Sequence, residues 1–415
     1  MKKILFALVM VLLPWAVNAE VVEVGGIFYK LTPAKVGTAS VVYDVNNLRH
    51  EYKGDVIIPQ TIESGGHTYS VTEIDQYAFM GCEELTSVTL PEGIKTIGIG
   101  SFEDSKKLEA INIPSSVTEI KTKAFYNCDG LKRVYIADVR SWCGIVFADY
   151  GNPLYYAQHL YVGDKEVTDL TIPDDVTTIN GRAFNGFAAL KSVHIGKGVK
   201  TIGSYAFAWC SSLTSIILPD NIESMGSYVF TEDTCLSSVA LSKNCQTIEN
   251  RTFEKCKALQ TVVIPDGVKN IKNGAFEGCN GLKRIYMAAT VETLGASAFE
   301  RCGNLTDVYC YGMNPPTQEG WYKKDILEVF LNSYVDYSTV HVPETALDSY
   351  QRIHPWSDFG NIVALTNDET AITPATAKSS AMRYVTLNGR QNVLLQKGIN
   401  IVRQSDGTVR KFLKK

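Results

Sequence analysis

Ten cysteines are the side chains of this 415-residue chain that could most directly do chemistry. Six of them follow a phenylalanine by three residues, in the phrases AFMGC, AFYNC, AFAWC, TFEKC, AFEGC and AFERC. A cysteine repeated at one spacing could be a metal ligand, half of a disulfide, a catalytic thiol or an apolar part of a core. The residues that replace it in other copies of the phrase decide between these roles.

The residues that replace the cysteine in the other copies favour the core role. Three residues after the phenylalanine, these copies have Ser105, Phe187 and Asp233. A metal ligand or a catalytic thiol would not be replaced by phenylalanine within its own array, and none of the ten cysteines forms a C-x-x-C pair. Buried free cysteine behaves as a small apolar residue with a weak donor. We therefore expect these six cysteines to be core thiols.

Four cysteines lie at other positions. Cys245 takes a position that is valine in other copies, and Cys310 takes the last strand position, where other copies have leucine, isoleucine or methionine. These two bring the expected core thiols to eight. Cys143 and Cys235 fit neither pattern, and a disulfide from Cys235 to a neighbouring repeat stays open, because an exported protein can form one.

Other catalytic patterns are weak. There is no G-x-S-x-G sequence and no glycine loop of the kind that binds phosphate. Two catalytic carboxylates need not be close in sequence, so a carboxylate pair stays open. The sequence predicts a protein that is not an enzyme and that uses no metal or cofactor. The histidines are scattered, without H-E-x-x-H or H-x-H spacing, at His50, His67, His159, His194, His341 and His354.

The first 19 residues predict export. Lys2 and Lys3 precede an apolar run from Ile4 to Val17, and Ala19 ends a cleavage site of the secretory type. Cleavage after Ala19 leaves 38 basic and 44 acidic residues, a mild acidic balance that gives no reason to expect nucleic acid as a partner. No later run reaches the roughly 20 apolar residues of a transmembrane helix. We predict an extracellular or outer cell-surface location.

The phenylalanines establish a repeat of 23 residues. In the strand L-x-x-V-x-I, period-two alternation places Val88 and Leu90 in the core and Ser87 and Thr89 outside. The A-F-x-x-C stretch is predicted as a helical turn. One such unit cannot bury its apolar face alone, so the pattern predicts a solenoid of stacked units. Every gap is 23 residues except one of 59, which marks an insertion at about residues 137–169, and the phenylalanines are Phe79, Phe102, Phe125, Phe184, Phe207, Phe230, Phe253, Phe276 and Phe299.

The full phrase I-G-x-x-A-F-x-x-C-x-x-L-x-x-V-x-I-P resembles the BspA-type leucine-rich repeat of Bacteroidota surface proteins, over residues 65–310. The resemblance implies a β-rich α/β solenoid, a leucine-rich repeat array of about ten 23-residue units with N- and C-terminal caps. Residues 20–64 and 311–365 are the predicted caps, with Tyr350, Trp356 and Phe359 in the core of the second and a helical stretch near Asp325–Leu331.

The chain after the second cap is predicted as a linker, 366–382, and a small β tail, 383–415. The pieces Y-x-x-L-N-G, K-G-I-N-I-V and D-G-T-x-x-K resemble the C-terminal sorting tails of Bacteroidota, which implies delivery to the cell surface. Asp406-Gly407 predicts a tight turn in this tail. Residues 378–415 carry nine basic residues and one acidic residue, so nonspecific adhesion to an anionic surface is the alternative.

One strand face of the solenoid is left for solvent, and it is the predicted binding surface. The residue between the two buried strand positions is polar in the early units and apolar or aromatic in the later ones, a composition that often marks an interaction site. Such residues also simply suit exposed strands, and the C-terminal cap could cover the last two. The candidate partner-binding residues are Tyr135, His194, Ile217, Val263, Tyr286 and Tyr309.

The insertion is rich in aromatic residues and is predicted to form a short amphipathic helix, an Asn-Pro turn and a hairpin around Gly163-Asp164. Most of the aromatic residues should pack against the edge of the solenoid, although an insertion on one unit is also a usual place for specificity. They are Trp142, Phe147, Tyr155, Tyr156 and Tyr161.

The family resemblance implies a non-catalytic, adhesin-like binding protein. Its expected partner is a host extracellular protein, another bacterial surface protein or a glycan. A structural component of the envelope or of a biofilm, without a dedicated ligand, is the alternative.

Overall fold

Residues 20–33, 35–43, 52–318, 328–370, 398–403 and 409–414 are described by the structure, a computed structural model. The predicted signal peptide, residues 1–19, and most of the predicted linker lie outside the described residues. The N-terminal segment, predicted as a cap, forms strands, and Tyr52 packs on Phe79 at 4.8 Å between ring centroids. Its strands are β1 (Val21–Val24), β2 (Ile27–Leu31), β3 (Thr38–Val42), β4 (Gly54–Ile57), β5 (Thr61–Ser64) and β6 (His67–Ile74).

The first three strands pair in antiparallel order, and β3 then pairs in parallel with β6. Strand β5 forms a hairpin with β6. The end of β6 begins one parallel ladder of the solenoid, and β4 begins another. The N-terminal strands therefore connect directly to the repeats.

Each repeat contributes one long strand and one short strand, and both pair in parallel with the next repeat. Val88 pairs with Ile111 in the long ladder, and Ile97 pairs with Ile120 in the short ladder. In chain order the strands are β7 (Leu85–Thr89), β8 (Thr96–Ile97), β9 (Ala110–Ile113), β10 (Glu119–Ile120), β11 (Arg133–Ile136), β12 (Val146–Phe147), β13 (Leu160–Val162), β14 (Lys165–Val167), β15 (Asp169–Thr171), β16 (Thr178–Ile179), β17 (Ser192–His194), β18 (Thr201–Ile202), β19 (Ser215–Ile217), β20 (Ser224–Met225), β21 (Ser238–Ala240), β22 (Thr247–Ile248), β23 (Thr261–Ile264), β24 (Asn270–Ile271), β25 (Arg284–Met287), β26 (Thr293–Leu294), β27 (Asp307–Cys310) and β28 (Thr317–Gln318).

Burial follows the predicted alternation along the long strands. Val88 and Leu90 are each 2% exposed, whereas Thr89 between them faces solvent. Inside the ladders, the phenylalanine rings stack on both sides of the insertion, for example Phe79 on Phe102 at 5.1 Å and Phe184 on Phe207 at 5.3 Å. Stacking of identical rings on successive rungs buries each ring completely and fixes the spacing of the units.

The A-F-x-x-C stretch is not helical, so this prediction is wrong. In each repeat the residues two before and two after the phenylalanine have positive φ, as Tyr205 (φ 60°) and Trp209 (φ 62°) do around Phe207. Left-handed residues at two places interrupt an α-helix. The backbone bonds instead reach the next rung, because the N–H groups of Tyr205, Phe207 and Trp209 donate to carbonyl oxygens there at 3.0, 3.0 and 2.9 Å. We call this third side of the solenoid the turn ladder.

The insertion builds a rung of its own. Strand β12 extends the short ladder, with Phe147 opposite Ile120, and β13 extends the long ladder. The predicted hairpin around Gly163-Asp164 is confirmed as β13 paired with β14. Trp142 is buried and donates from Nε1 to the carbonyl oxygen of Ala183 at 2.7 Å, so packing against the solenoid is also confirmed. The two short helices of the insertion are α1 (Val139–Cys143) and α2 (Leu154–Ala157).

The ladders continue into the segment predicted as the C-terminal cap. Phe330 stacks on Phe299 at 5.4 Å, and it lies in a turn, so the described part of the predicted helix near Asp325–Leu331 is not helical. The solenoid therefore has about 12 turns rather than ten. Trp356 and Phe359 pack on Phe330 at 5.9 and 5.1 Å and are buried with Tyr350, as predicted.

The remaining elements are short. The 3₁₀ helices cover Val335–Tyr337, Glu344–Ala346 and Trp356–Asp358, and the α-helices are α3 (Leu347–Arg352) and α4 (Asn367–Thr370). Strands β31 and β32 pair in antiparallel order on either side of the predicted Asp406-Gly407 turn. The last strands are β29 (Thr339–Val342), β30 (Asn361–Ala364), β31 (Gly398–Arg403) and β32 (Val409–Lys414).

Candidate functional site

The repeated cysteines are buried thiols. Nine of the ten cysteines are buried and all ten are free, with only Cys235 exposed. Burial raises the pKa of the Cys82 thiol to about 11 and that of Cys143 to about 12, so neither is ionised at neutral pH. The prediction of core thiols is confirmed, and it extends to Cys143.

Cysteine and serine side chains at the repeated cysteine position have the same structural role. The Cys128 thiol donates to the carbonyl oxygen of Phe102 at 3.0 Å, and the Ser105 hydroxyl donates to that of Phe79 at 2.6 Å. Each bond joins one rung to the rung before it. Serine and cysteine therefore replace each other here because both donate to a buried carbonyl oxygen.

Phe187 and Asp233 depart from this pattern, and Asp233 is the polar one. It is fully buried, and its Oδ1 accepts a hydrogen bond from the N–H of Cys210 at 2.8 Å. Its Oδ2 is buried without a hydrogen-bond partner. Burial raises the pKa of this carboxyl group well above its usual range, so the neutral acid is favoured in the folded protein.

The described part of the chain offers no obvious catalytic centre. No group of three or more histidine, cysteine, aspartate or glutamate side chains is placed there to hold a metal ion. A depression of about 480 Å³ lies beside α1 and is lined by Asp138, Val139, Arg140, Ser141 and Pro173. The carboxylate of Asp138 caps α1, because one of its oxygens accepts a hydrogen bond from the N–H of Ser141 at 2.8 Å. The Ser141 hydroxyl group donates to the other oxygen of the same carboxylate at 2.5 Å, so both oxygens of Asp138 bind the first turn of α1. No histidine or lysine lines the depression beside this pair.

The outer face of the long ladder carries the residues predicted to bind a partner. Tyr286 and Tyr309 lie on neighbouring rungs with their rings stacked at 4.6 Å and 6° between planes. His341 on the following rung continues the stack, 4.3 Å from Tyr309. Burial raises the pKa of both tyrosines, that of Tyr309 to about 12. The three rings form a continuous, partly exposed aromatic surface, which we call the sheet-face stack.

The other residues predicted to bind a partner differ from one another in exposure and packing. His194 is exposed, Ile217 is partly buried, and Tyr135 packs on Tyr161 of the insertion at 5.1 Å. The expectation that Val263 faces solvent is wrong, because it is only 6% exposed. Its register partner on the next rung is Tyr286.

The predicted residues are also divided among four sheets, because His194 lies in the two-stranded sheet β15-β17 and Ile217 in the two-stranded sheet β19-β21. Tyr135 belongs to the six-stranded sheet β14-β13-β11-β9-β7-β4, whose edge is the hairpin strand β14. Val263, Tyr286 and Tyr309 belong to the five-stranded sheet β23-β25-β27-β29-β30. Only the five-stranded sheet brings several predicted residues together, at the sheet-face stack.

With this geometry established, comparison with known sequences decides the family. The profile of the BspA type leucine rich repeat region matches residues 61–150, 157–283 and 246–311, in six copies. The chain belongs to the BspA-type leucine-rich repeat family. No curated protein matches it.

Several solved structures are similar to this BspA-type protein. One is a leucine rich cell surface protein from Faecalibacterium prausnitzii A2-165, with 19% identity, a TM-score of 0.35, and coverage of 73% of this chain and 95% of that one. A leucine-rich repeat protein from Bacteroides ovatus has 22% identity, a TM-score of 0.33, and coverage of 81% and 98%. The pneumococcal vaccine antigen PcpA has 18% identity, a TM-score of 0.46, and coverage of 84% and 99%.

The outward position of His341 is recognisable from its strand. The strand STVHVP alternates like the repeats, and alternation places His341 in line with Tyr309. In the BspA-type protein its Nε2 lies 3.2 Å from Asp307 Oδ1, and its Nδ1 lies 3.2 Å from Glu369 Oε1. The segment after β30, predicted as a linker, therefore contacts the sheet-face stack through Glu369.

No helix in the described part of this BspA-type protein is both long and apolar enough to cross a membrane.

Proposed function

We propose that this BspA-type repeat protein is a secreted or cell-surface, adhesin-like binding protein without catalytic activity. Its partner is a host extracellular protein, another bacterial surface protein or a glycan, and its binding surface is the outer face of the long ladder. The single observation that carries the proposal is the sheet-face stack of Tyr286, Tyr309 and His341. The family, whose repeat proteins are generally non-enzymatic, supports the absence of chemistry.

The sheet-face stack is suited to binding because it is both rigid and amphipathic. The rings are fixed by β25, β27 and β29, whose backbones pair in register, so a partner would order few additional side chains. Tyrosine combines apolar area with a hydroxyl group, and it is enriched among residues that dominate interface energies. Arg284 is exposed on the same strand as Tyr286 and adds a donor beside the rings.

The location is supported by the predicted signal peptide at residues 1–19. It is also supported by the similar cell surface protein of Faecalibacterium prausnitzii and by the vaccine antigen PcpA. The predicted sorting tail at 383–415 agrees with delivery to the outer surface.

Truncation of the stack tests the proposal. Purified protein without the signal peptide is applied to arrays of extracellular matrix proteins and glycans and to bacterial cells, as the natural sequence and as the double variant Tyr286→Ala, Tyr309→Ala. We expect the variant to fold and to lose about 30-fold in affinity or more, as removal of a central aromatic contact typically does. Tyr337→Ala is the matched control, because Tyr337 is 84% exposed and its ring is not one of the stacked rings.

Two results would contradict the proposal. If the double variant binds every partner of the natural protein equally well, the binding surface lies elsewhere on the molecule. If the natural protein binds nothing on the arrays or cells, the structural role in the envelope or biofilm becomes the better explanation.

A further inference from the structure

A second aromatic surface lies on the turn ladder. Trp209 and Tyr155 are 39% and 40% exposed, and their rings meet at 84° with 6.2 Å between centroids. Tyr205, on the same rung as Trp209, lies almost parallel to it and stacks on Tyr228 of the next rung at 4.6 Å. We call these four residues the turn-face corner, since Tyr155 and Trp209 form its two perpendicular walls.

The repeat itself does not require tryptophan at this place. The position two residues after the phenylalanine has positive φ, a conformation in which glycine, asparagine and aspartate are at least cost and bulky side chains are disfavoured. Trp209 nevertheless takes it with φ 62° and a large exposed area. Because the repeat imposes positive φ on every residue at this position, nothing in the backbone selects a tryptophan here. In the other repeats the position holds Gly81, Asp104, Asn127, Gly186, Glu232, Lys255, Gly278 and Arg301.

The insertion supplies the second aromatic ring of the turn-face corner. Tyr155 is in α2, and it lies against Gly186, the residue that precedes Trp209 by one repeat. A Cβ on Gly186 would lie 2.6 Å from the Cα of Tyr155, so only glycine lets the insertion approach this closely. The insertion and the repeat therefore build the corner together from parts that are distant in sequence.

The charges around the corner are balanced in pairs. The Arg182 guanidinium group lies 5.1 Å from the centre of the Tyr205 ring and forms an ion pair with Asp149 at 2.5 Å. On the other side of Trp209, the Lys255 ammonium group lies 2.5 Å from Glu232 Oε1. A charged ligand would gain little from such paired groups, whereas the hydroxyl groups of a neutral ligand can bond to both members of a pair.

We propose that the turn-face corner binds an uncharged glycan. The C–H face of a pyranose ring packs on an aromatic wall, and its equatorial hydroxyl groups reach the paired ionic groups at the rim. A sugar ring combines an apolar face with a polar edge, and the corner presents the matching arrangement of rings and polar groups. This site is separate from the sheet-face stack, so it stands whether or not that surface binds a partner.

The probes are soluble neutral polysaccharides, namely dextran, mannan, laminarin and a β-galactan. Heparin and a polyproline peptide test for an anionic glycan and for an extended peptide. Binding of the full chain without its signal peptide is measured by affinity electrophoresis and titration calorimetry. We expect at least one neutral polysaccharide to bind, and we expect Trp209→Asn and Tyr155→Ala each to weaken that binding tenfold or more.

The variants separate loss of the site from loss of the fold. Asparagine is the residue that the same position holds at Asn127, so Trp209→Asn should keep its melting temperature. Tyr77→Ala is the matched control, because Tyr77 is 39% exposed on the turn ladder of the first repeat, far from the corner. The Tyr286→Ala, Tyr309→Ala variant should also keep its binding of the neutral polysaccharide.

Three results would overturn the inference. They are failure of the natural chain to bind any of the neutral polysaccharides, binding that persists in Trp209→Asn, and binding confined to heparin or to the polyproline peptide. None of these bears on the sheet-face stack, whose own variant is tested on its own arrays.

Discussion

Replacing the buried aspartate of the cysteine position should stabilise the protein. In the variant Asp233→Ser, the new hydroxyl group takes the place that Ser333 has at the end of the array. There the Ser333 hydroxyl donates to the carbonyl oxygen of Phe299 at 2.6 Å and accepts from the N–H of Cys302 at 2.9 Å. Serine at 233 can make both bonds in the same way, with Phe207 and Cys210 as its partners.

The size of the stability gain follows from the hydrogen bond that the second carboxyl oxygen of Asp233 lacks. One carboxyl oxygen accepts the N–H of Cys210, while the other is buried without a partner. An unsatisfied buried polar group costs about 1–3 kcal/mol. We therefore expect the free energy of unfolding to rise by about 1–3 kcal/mol in Asp233→Ser at low pH, where the carboxyl group is neutral in the folded and unfolded chains.

The gain in the free energy of unfolding of Asp233→Ser over the natural protein should increase with pH. Burial raises the pKa of Asp233 in the folded protein, whereas in the unfolded chain an aspartate titrates near its usual value of about 3.9. Above that value the folded protein holds a proton that the unfolded chain has lost, so rising pH favours unfolding. The natural protein then loses about 1.4 kcal/mol per pH unit from this group until the folded pKa is reached, and the variant does not.

Denaturant unfolding at pH 3, 5.5 and 7 measures both effects. The control is Asp129→Ser, which removes an exposed aspartate and should leave both the stability and its pH dependence almost unchanged. A variant Asp233→Ser that is less stable than the natural protein at pH 7 would refute the reasoning. So would a stability difference that stays constant from pH 3 to pH 7.

Two further predictions concern the core. Phe207→Ala removes one fully buried ring from the phenylalanine stack and should lower the free energy of unfolding by about 3–5 kcal/mol. A loss below about 1 kcal/mol in denaturant unfolding would mean that the stack contributes little to stability. In thiol labelling of the native protein at pH 7.5, only Cys235 should react rapidly, because the other cysteines are buried, whereas all ten should react in denaturant. Rapid native labelling of Cys82 would contradict the buried position.

The core of each rung could be predicted from sequence because it depends on periodicity. Alternation identified Val88 and Leu90, and substitution by phenylalanine at one copy showed that the cysteine position is apolar. Val263 was misplaced because alternation gives the direction of a side chain, whereas its exposure also depends on the size of neighbours on other rungs. Those neighbours are 23 residues away and obey no local pattern.

The turn ladder was only partly marked in the sequence. Glycine, asparagine or aspartate stands two residues after the phenylalanine in five of the nine copies, which is a signal for positive φ, whereas Tyr205 and Trp209 carry no such signal. Hydrogen bonds between rungs, rather than local preference, hold them in this conformation. The turn-face corner was missed for the same reason, since Tyr155 and Trp209 meet only after the insertion has folded as a rung.

The direction of the hydrogen bonds has a mechanical consequence. Bonds of the long, short and turn ladders all join one rung to the next, so they run along the axis of the solenoid. A force that separates the two ends along that axis pulls the ladders apart rung by rung, instead of shearing many strands at once. Each released repeat of 23 residues adds roughly 70 Å of extended chain. Under such a load the molecule would lengthen in steps of one repeat.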